Sequence, residues 1–380
     1  MKPELDIIIY GASGYTGRLV AEYLVQKGDA VKWAMAGRDQ AKLREVRELI
    51  NAPTSIPIIV ADADDVSALT AMVKRTAVVL TTAGPYQRYG NALVKACAEM
   101  GTDYVDLAGE SNWIAKKIVE LDATAKRSGA RLIFSSGFDS VPFDLGVLFV
   151  EHEAKKLFGT YAPRVRGRVR VINGGLSGGT LDAGKATTVA IGNDASILEV
   201  IDDPFALTPG FKGSDQPDLN ATYEDKVMGA WVKPFGMARI NTKTVHRSNF
   251  LLGHLWGIDF QYDEMSVIDP SNENTSDFDI NPSFQPGEGP TQKQREEGFY
   301  DVLFIAEYPD GCTLKASVKG DRDPGYGSTA KIIAESALCL GLDISRDQTS
   351  GGCWTPTSAM GEALINRLQE SAGLIFSVES

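Results

Sequence analysis

Glycines stand at positions 11, 14 and 17 in Gly11-Ala12-Ser13-Gly14-Tyr15-Thr16-Gly17, directly behind the apolar run Ile7-Ile8-Ile9-Tyr10. Their spacing suits the binding of a pyrophosphate. The first glycine makes a tight turn, the second admits backbone N–H groups to the phosphates, and the third lets a helix pack closely on the strand. The anion then meets a helix N-terminus, where unpaired N–H donors and the positive end of the dipole favour it. Leu19, Val20, Tyr23 and Leu24 recur at helical spacing after the turn, and Lys27-Gly28 is a stop. Ser13, Tyr15 and Thr16 are therefore expected to line a dinucleotide site together with the three glycines.

A second strand, residues 31–36, ends in Gly37-Arg38-Asp39. NAD-binding folds place a carboxylate here, about 20 residues past the glycines, to hold the ribose 2′-hydroxyl. Arg38 stands in that place. A guanidinium forks onto a 2′-phosphate and stacks on adenine, which selects NADP(H). Asp39 suits the N-cap of a helix over 40–50. Asp62, behind a strand at 56–60, either reaches the adenine amino group, caps a turn or is simply solvated.

A reductase also needs the nicotinamide held against its acceptor and a proton donor for the atom that becomes negative. A fourth strand, 77–80, leads into Thr81-Thr82-Ala83-Gly84-Pro85-Tyr86. Ala83, Gly84 and Pro85 are expected against the cofactor, and Tyr86 either supplies a phenolic proton or packs on the cofactor. Asp139 and Ser140, after a sixth strand, are placed to orient substrate or the nicotinamide amide. The structural alternative for Asp139 is to cap a helix beginning near Pro142. Lys185, on a helix after Ser177-Gly178-Gly179-Thr180, and His246 are further catalytic candidates from the second half.

The elements that carry these residues alternate. Helices fit 40–50, a segment capped by Asp65, 91–100 and 114–128, and strands fit 104–107 and 131–134. Near-continuous apolar strands separated by helices mean a doubly wound parallel sheet of Rossmann type, with its ligand beyond the carboxyl ends of the strands. From Pro163 the pattern changes. Residues 164–171 alternate arginine with apolar residues, which reads as a strand of an antiparallel sheet with its arginines on a solvent face. Strands at 258–265, 301–308 and 313–318 and helices at 179–191 and 242–252 complete an α+β unit on a mostly antiparallel, mixed sheet. The polar stretch 266–298 reads as a lid, and 328–340 and 359–369 are helical. The expected domains are 1–145, a dinucleotide-binding unit; 146–325, a substrate unit; and 326–380, a helical C-terminal segment.

With 380 residues, 43% hydrophobic and 23% charged, the chain has the composition of a soluble globular protein of two domains. A net charge of −12 disfavours nucleic acid and anionic membrane surfaces as partners. No apolar stretch approaches the about 18 residues of a membrane span. Cys97, Cys312, Cys339 and Cys353 show no metal spacing and read as free thiols. The start runs straight into the first strand without a signal peptide, so a cytoplasmic location is expected, with no metal.

Gly11–Gly17, Gly84-Pro85-Tyr86, Tyr104-Val105-Asp106-Leu107-Ala108-Gly109-Glu110 and residues 137–146 (GFDSVPFDLG) together resemble the saccharopine dehydrogenase-like oxidoreductases. The closer likeness is to the branch that includes trans-acting enoyl reductases of mycobacterial lipid synthesis. Ser177–Thr180, Asp203-Pro204-Phe205-Ala206-Leu207, Asp323-Pro324-Gly325-Tyr326-Gly327 and residues 351–356 extend it through the second half. The resemblance implies an NADP-binding Rossmann domain, a substrate domain on a mixed sheet, and C-terminal helices, 326–380, that pack back on the Rossmann domain. The membrane-associating stretch of animal members is missing here.

Three functions fit. One is an NADPH-dependent reductase of a C=C, C=O or C=N bond in a small metabolite or acyl substrate. The second is an amino-acid-type dehydrogenase working through an imine, with Arg239, Lys243 and Arg247 holding carboxylates. The third is a non-catalytic NADP(H) sensor. A short-chain dehydrogenase is disfavoured, because the one Tyr-x-x-x-Lys pair, Tyr23 with Lys27, lies in the first helix. A small-molecule substrate and a homodimer complete the expectations.

Overall fold

Alternate residues of the first strand, β1 (Leu5–Tyr10), enter two separate cores: Ile7 and Ile9 one, Leu5, Ile8 and Tyr10 the other. That is what a strand buried on both faces requires. The computed structural model describes residues 3–271, 277–278, 281, 283–285 and 287–379. With β2 (Trp33–Gly37), β3 (Ile58–Val60), β4 (Thr76–Thr81), β5 (Asp103–Val105) and β6 (Arg131–Ile133), β1 forms a parallel sheet in the order β3-β2-β1-β4-β5-β6. The order reverses between β1 and β4, and a ligand crevice opens there.

The second sheet uses β7 (Arg164–Asn173), β8 (Tyr223–Asp225), β9 (Ala230–Pro234), β10 (Gln261–Ile268), β11 (Phe299–Glu307) and β12 (Thr313–Gly320). It is mixed: β7 and β10 pair in parallel, and the neighbours β11–β12, β11–β7, β10–β9 and β8–β9 antiparallel. The expected strand at 258–265 begins three residues later and runs on to Ile268.

The expected domain limits meet two exceptions. The helix Val141–Phe158 runs across the limit at residue 145 and packs on β11 and β12. Its Gly146 permits this, since a Cβ there would lie 2.3 Å from the Phe304 ring. The C-terminal segment is also shared. Its strand β13 (Gly352–Trp354) extends the first sheet beside β6, while β14 (Leu374–Glu379) closes the edge of the second beside β12.

The arginines of β7 do not form a solvent face. Arg168 is fully buried between Asp225 at 2.7 Å and Asp263 at 2.8 Å. Arg166 pairs with Glu307 at 2.8 Å, and Arg170 with Asp301 at 2.7 Å and Glu379 at 2.6 Å. Buried guanidinium groups persist only with such partners. Of the stretch 266–298, residues 266–268 complete β10 and Gln292–Glu297 form a helix capped by Thr291. Residues 272–276, 279–280, 282 and 286 of that stretch lie outside the described residues. Among the described residues, no helix is long and apolar enough to cross a membrane.

Candidate functional site

The glycine turn lies between β1 and the helix Tyr15–Val25. Gly11 takes φ +86°, and a Cβ on it would lie 3.0 Å from the Ala83 nitrogen. Gly17 is tighter, with a Cβ 2.2 Å from the Gly11 carbonyl oxygen. Neither place admits a side chain. Gly14 is the helix N-cap and offers no side-chain cap, so the first-turn N–H groups keep their donors for a ligand. This bare cradle fits a dinucleotide pyrophosphate.

A cleft of about 1120 Å³ extends from this turn between the two domains. Gly11, Ser13, Gly14, Tyr15 and Thr16 line one end, and Ala83, Gly84 and Pro85 line the loop after β4. Gly17 stays beneath the turn as a packing residue. Arg38 projects at the mouth, exposed, and among the described residues its guanidinium has no hydrogen bond or ion pair. Lys42 lines the cleft beside it, on the helix Gln40–Leu49. Asp39 caps that helix, accepting from the N–H groups of Ala41 and Lys42. Asp62 also lines the cleft, with its Oδ1 accepting from Asp64 N at 3.0 Å.

The three catalytic candidates separate. Tyr86 borders the cleft but is buried. Its phenol donates its one proton to Thr81 O and accepts from Leu107 N, each at 3.0 Å. Burial pushes the phenol well above its ordinary range. Tyr86 thus ties together the loops after β4 and β5, and it is ill suited to give a proton. Lys185 is exposed on the helix Gly178–Asn193. Thr180, Ala183, Gly184 and Thr187, one stripe of that helix, face the cleft instead. Asp139 alone of the three carries a poised group into it. Its carboxyl has no hydrogen-bond partner among the described residues, and burial pushes it up to about 6. It caps nothing, since the N-cap position of the helix Val141–Phe158 belongs to Ser140.

The second-domain candidates mostly point elsewhere. His246 packs between the rings of Phe205, 4.7 Å away, and Phe260, and burial lowers it to about 3, leaving it neutral. Lys243 gives its ammonium to the carbonyls of Ile201 and Arg239, each at 2.6 Å, and burial brings it down to about 8. Arg247 is buried and donates to Leu207 O and Cys353 O, both at 2.5 Å. Arg239 lies at the rim, paired with Asp202 at 2.7 Å.

The residue types alone did not single out two parts of the site. Glu110 is a buried cleft carboxyl that accepts from Tyr86 N at 2.8 Å and Gly109 N at 3.2 Å, and burial raises it. Leu107, Ile201, Met237 and Ile240 give the far wall an apolar character. Only Glu110 carried a sequence signal, as the end of the 104–110 segment.

Residues 7–133 match the family of the saccharopine dehydrogenase NADP-binding domain. The chain is 34% identical to the trans-acting enoyl reductases of Mycobacterium leprae and Mycobacterium tuberculosis, with alignments covering 98% of this chain and 97% of each relative. Among solved structures, the apo saccharopine dehydrogenase (L-Glu forming) of Saccharomyces cerevisiae superposes with a TM-score of 0.56. The two chains are 13% identical over 99% of this one and 100% of that one, a likeness of fold.

Proposed function

From the premise that this chain belongs to the saccharopine dehydrogenase-like family, in the branch of the trans-acting enoyl reductases, and is an NADP-dependent oxidoreductase, we propose that it reduces the conjugated C=C bond of an acyl substrate. The observation that carries this reading is the character of the substrate wall. Leu107, Ile201, Met237 and Ile240 suit an acyl chain. An amino-acid substrate needs free cations for its carboxylates. Here Lys243 and Arg247 are spent on backbone carbonyls and Arg239 on Asp202.

The glycine turn and Arg38, the latter at the 2′-phosphate, would hold NADPH, which would supply a hydride for the β-carbon of the enoyl group. Asp139 then gives its proton to the α-carbon as the C=C electron pair is used, and recovers one from solvent. A carboxyl pushed up to about 6 by burial suits that task. The test follows NADPH absorbance with a trans-enoyl thioester, a ketoacyl thioester and an imine formed from an oxo acid and an amine. Oxidation with the enoyl thioester alone is the expected result. Faster oxidation with the imine would overturn the reading in favour of the amine-type dehydrogenase.

A further inference from the structure

The carboxyl of Asp139 has no hydrogen bond of its own, so its place in the cleft depends wholly on the backbone beneath it. That backbone is unusual. Ser140, the next residue, takes φ +140° and ψ −31°, where residues with a side chain rarely settle unless the surroundings hold them. The holding groups form a buried chain. Ser140 Oγ donates to Asn241 Oδ1 at 3.2 Å and lies 3.3 Å from Thr244 Oγ1. Asn241 Nδ2 donates to Glu264 Oε2, and the Tyr262 hydroxyl to Glu264 Oε1, both at 2.9 Å. Ser140, Asn241 and Glu264 are 0% exposed, and Tyr262 is 1% exposed.

The chain runs from the turn after β6, through the helix Ala238–Leu251, to β10, and so joins the two domains. Glu264 has no cationic partner among the described residues. Arg168 is taken by Asp225 and Asp263, and Lys243 and Arg247 by carbonyls. The ionisable groups that bear on Glu264 are Tyr262, Asp263 and Asp139. Burial first, and then the charges of Asp263 and Asp139, raise it well above the carboxylate range, against the lowering effect of the bonds from Asn241 and Tyr262.

We propose that Ser140, Asn241 and Glu264 are positioning residues that clamp the strained turn and thereby fix Asp139 in the cleft. The inference rests on the reading of Asp139 as the proton donor. Backbone bonds hold the ends of the turn, Ser140 N donating to Phe138 O at 2.9 Å and Val141 N to Gly137 O at 3.0 Å, and the clamp adds the side-chain tie that fixes Ser140 against the helix Ala238–Leu251 and β10.

The test pairs two readouts on the full chain. One is turnover of a trans-enoyl thioester with NADPH. The other is a pH titration of the Asp139 carboxyl by carbon NMR of aspartate-labelled protein, with Asp139→Asn identifying its signal. Asn241→Ala and Glu264→Leu are expected to lower kcat by about tenfold or more while KM and the NADPH Kd stay within about twofold. Both should also move the Asp139 midpoint down from about 6 as water reaches it. Glu264→Gln should recover most of what Glu264→Leu loses. An unchanged kcat and midpoint in both variants would overturn the clamp. So would a joint fall of kcat, NADPH affinity and thermal midpoint without recovery in Glu264→Gln. If wild type turns over no enoyl thioester yet Asn241→Ala moves the midpoint, the proposed reaction fails and the clamp stands.

Discussion

Arg38→Ala removes a guanidinium that has no partner among the described residues and stands at the cleft mouth beyond β2. Its value to the cofactor can be bounded. Hydrogen bonds to a charged group contribute about 1.5–3 kcal/mol, and exposure keeps Arg38 toward the lower part of that range. A loss of about 2 kcal/mol raises the NADPH Kd roughly 30-fold, and 3 kcal/mol roughly 150-fold. NADH lacks the 2′-phosphate, so its Kd should change by no more than about threefold, from lost stacking on adenine. Lys42 lines the cleft one helical turn on, so Arg38→Ala/Lys42→Ala should lose more than the single variant. Because the contact is open to solvent, the preference for NADPH should shrink as salt rises toward about 1 M, where the Debye length is about 3 Å. Side-by-side fluorescence titrations with NADPH and NADH measure all of this. An equal loss for both cofactors, or none for NADPH, would refute the assignment of Arg38 to the phosphate.

Asp139→Asn should lower turnover by about 10²–10⁴-fold with NADPH binding intact, and wild-type kcat should fall as pH rises through about 6, because the protonated carboxyl is the active form. Both are read from steady-state pH profiles, and a flat profile would count against Asp139 as the acid. Gly17→Ala drives a Cβ to 2.2 Å from the Gly11 carbonyl oxygen, and overpacking of this kind costs about 1–3 kcal/mol, so a lower melting temperature and weak NADPH binding are expected together. Lys185→Ala should leave kcat and KM within about twofold, and a large loss would return that residue to the site. Burial holds Asp106 and Asp144 up to about 7 and Glu151 up to about 8. Each binds its proton more tightly folded than unfolded, so their stabilisation is complete below the unfolded value near 4 and is lost as pH rises through about 7–8. A melting temperature that fails to drop between pH about 5 and about 9 would show that these carboxyls are not buried as acids.

The glycine turn and the strand ends that line the cleft were legible because their pattern is local. Gly11, Gly14 and Gly17 act through their own backbone within seven consecutive residues, and Arg38 follows a strand whose end the apolar pattern marks. The misreadings share the opposite cause. The period-two arginines of β7 look solvated until Asp225, Asp263, Glu307 and Glu379 fold over them from far along the chain. Tyr86 looks like a free phenol because the acceptor of its proton is a backbone carbonyl, Thr81 O, which no residue type announces. Lys185 fails by helical phase, one position past the stripe that faces the cleft. The strand β13 has three residues, too few for any periodicity to show.

The helix Val141–Phe158 explains why Asp139, the proposed acid, is held from both sheets. Its body is fixed to the second sheet, since Gly146 brings it against Phe304 with no room to slide. The loop between β6 and this helix is fixed to the first unit's side, where Ser136 N donates to Asp106 O beyond β5 and Phe138 N to Thr329 Oγ1. Asp139 sits between these two anchorages. The Ser140 turn between them is where the backbone leaves the ordinary dihedral regions and where the Asn241–Glu264 chain is attached.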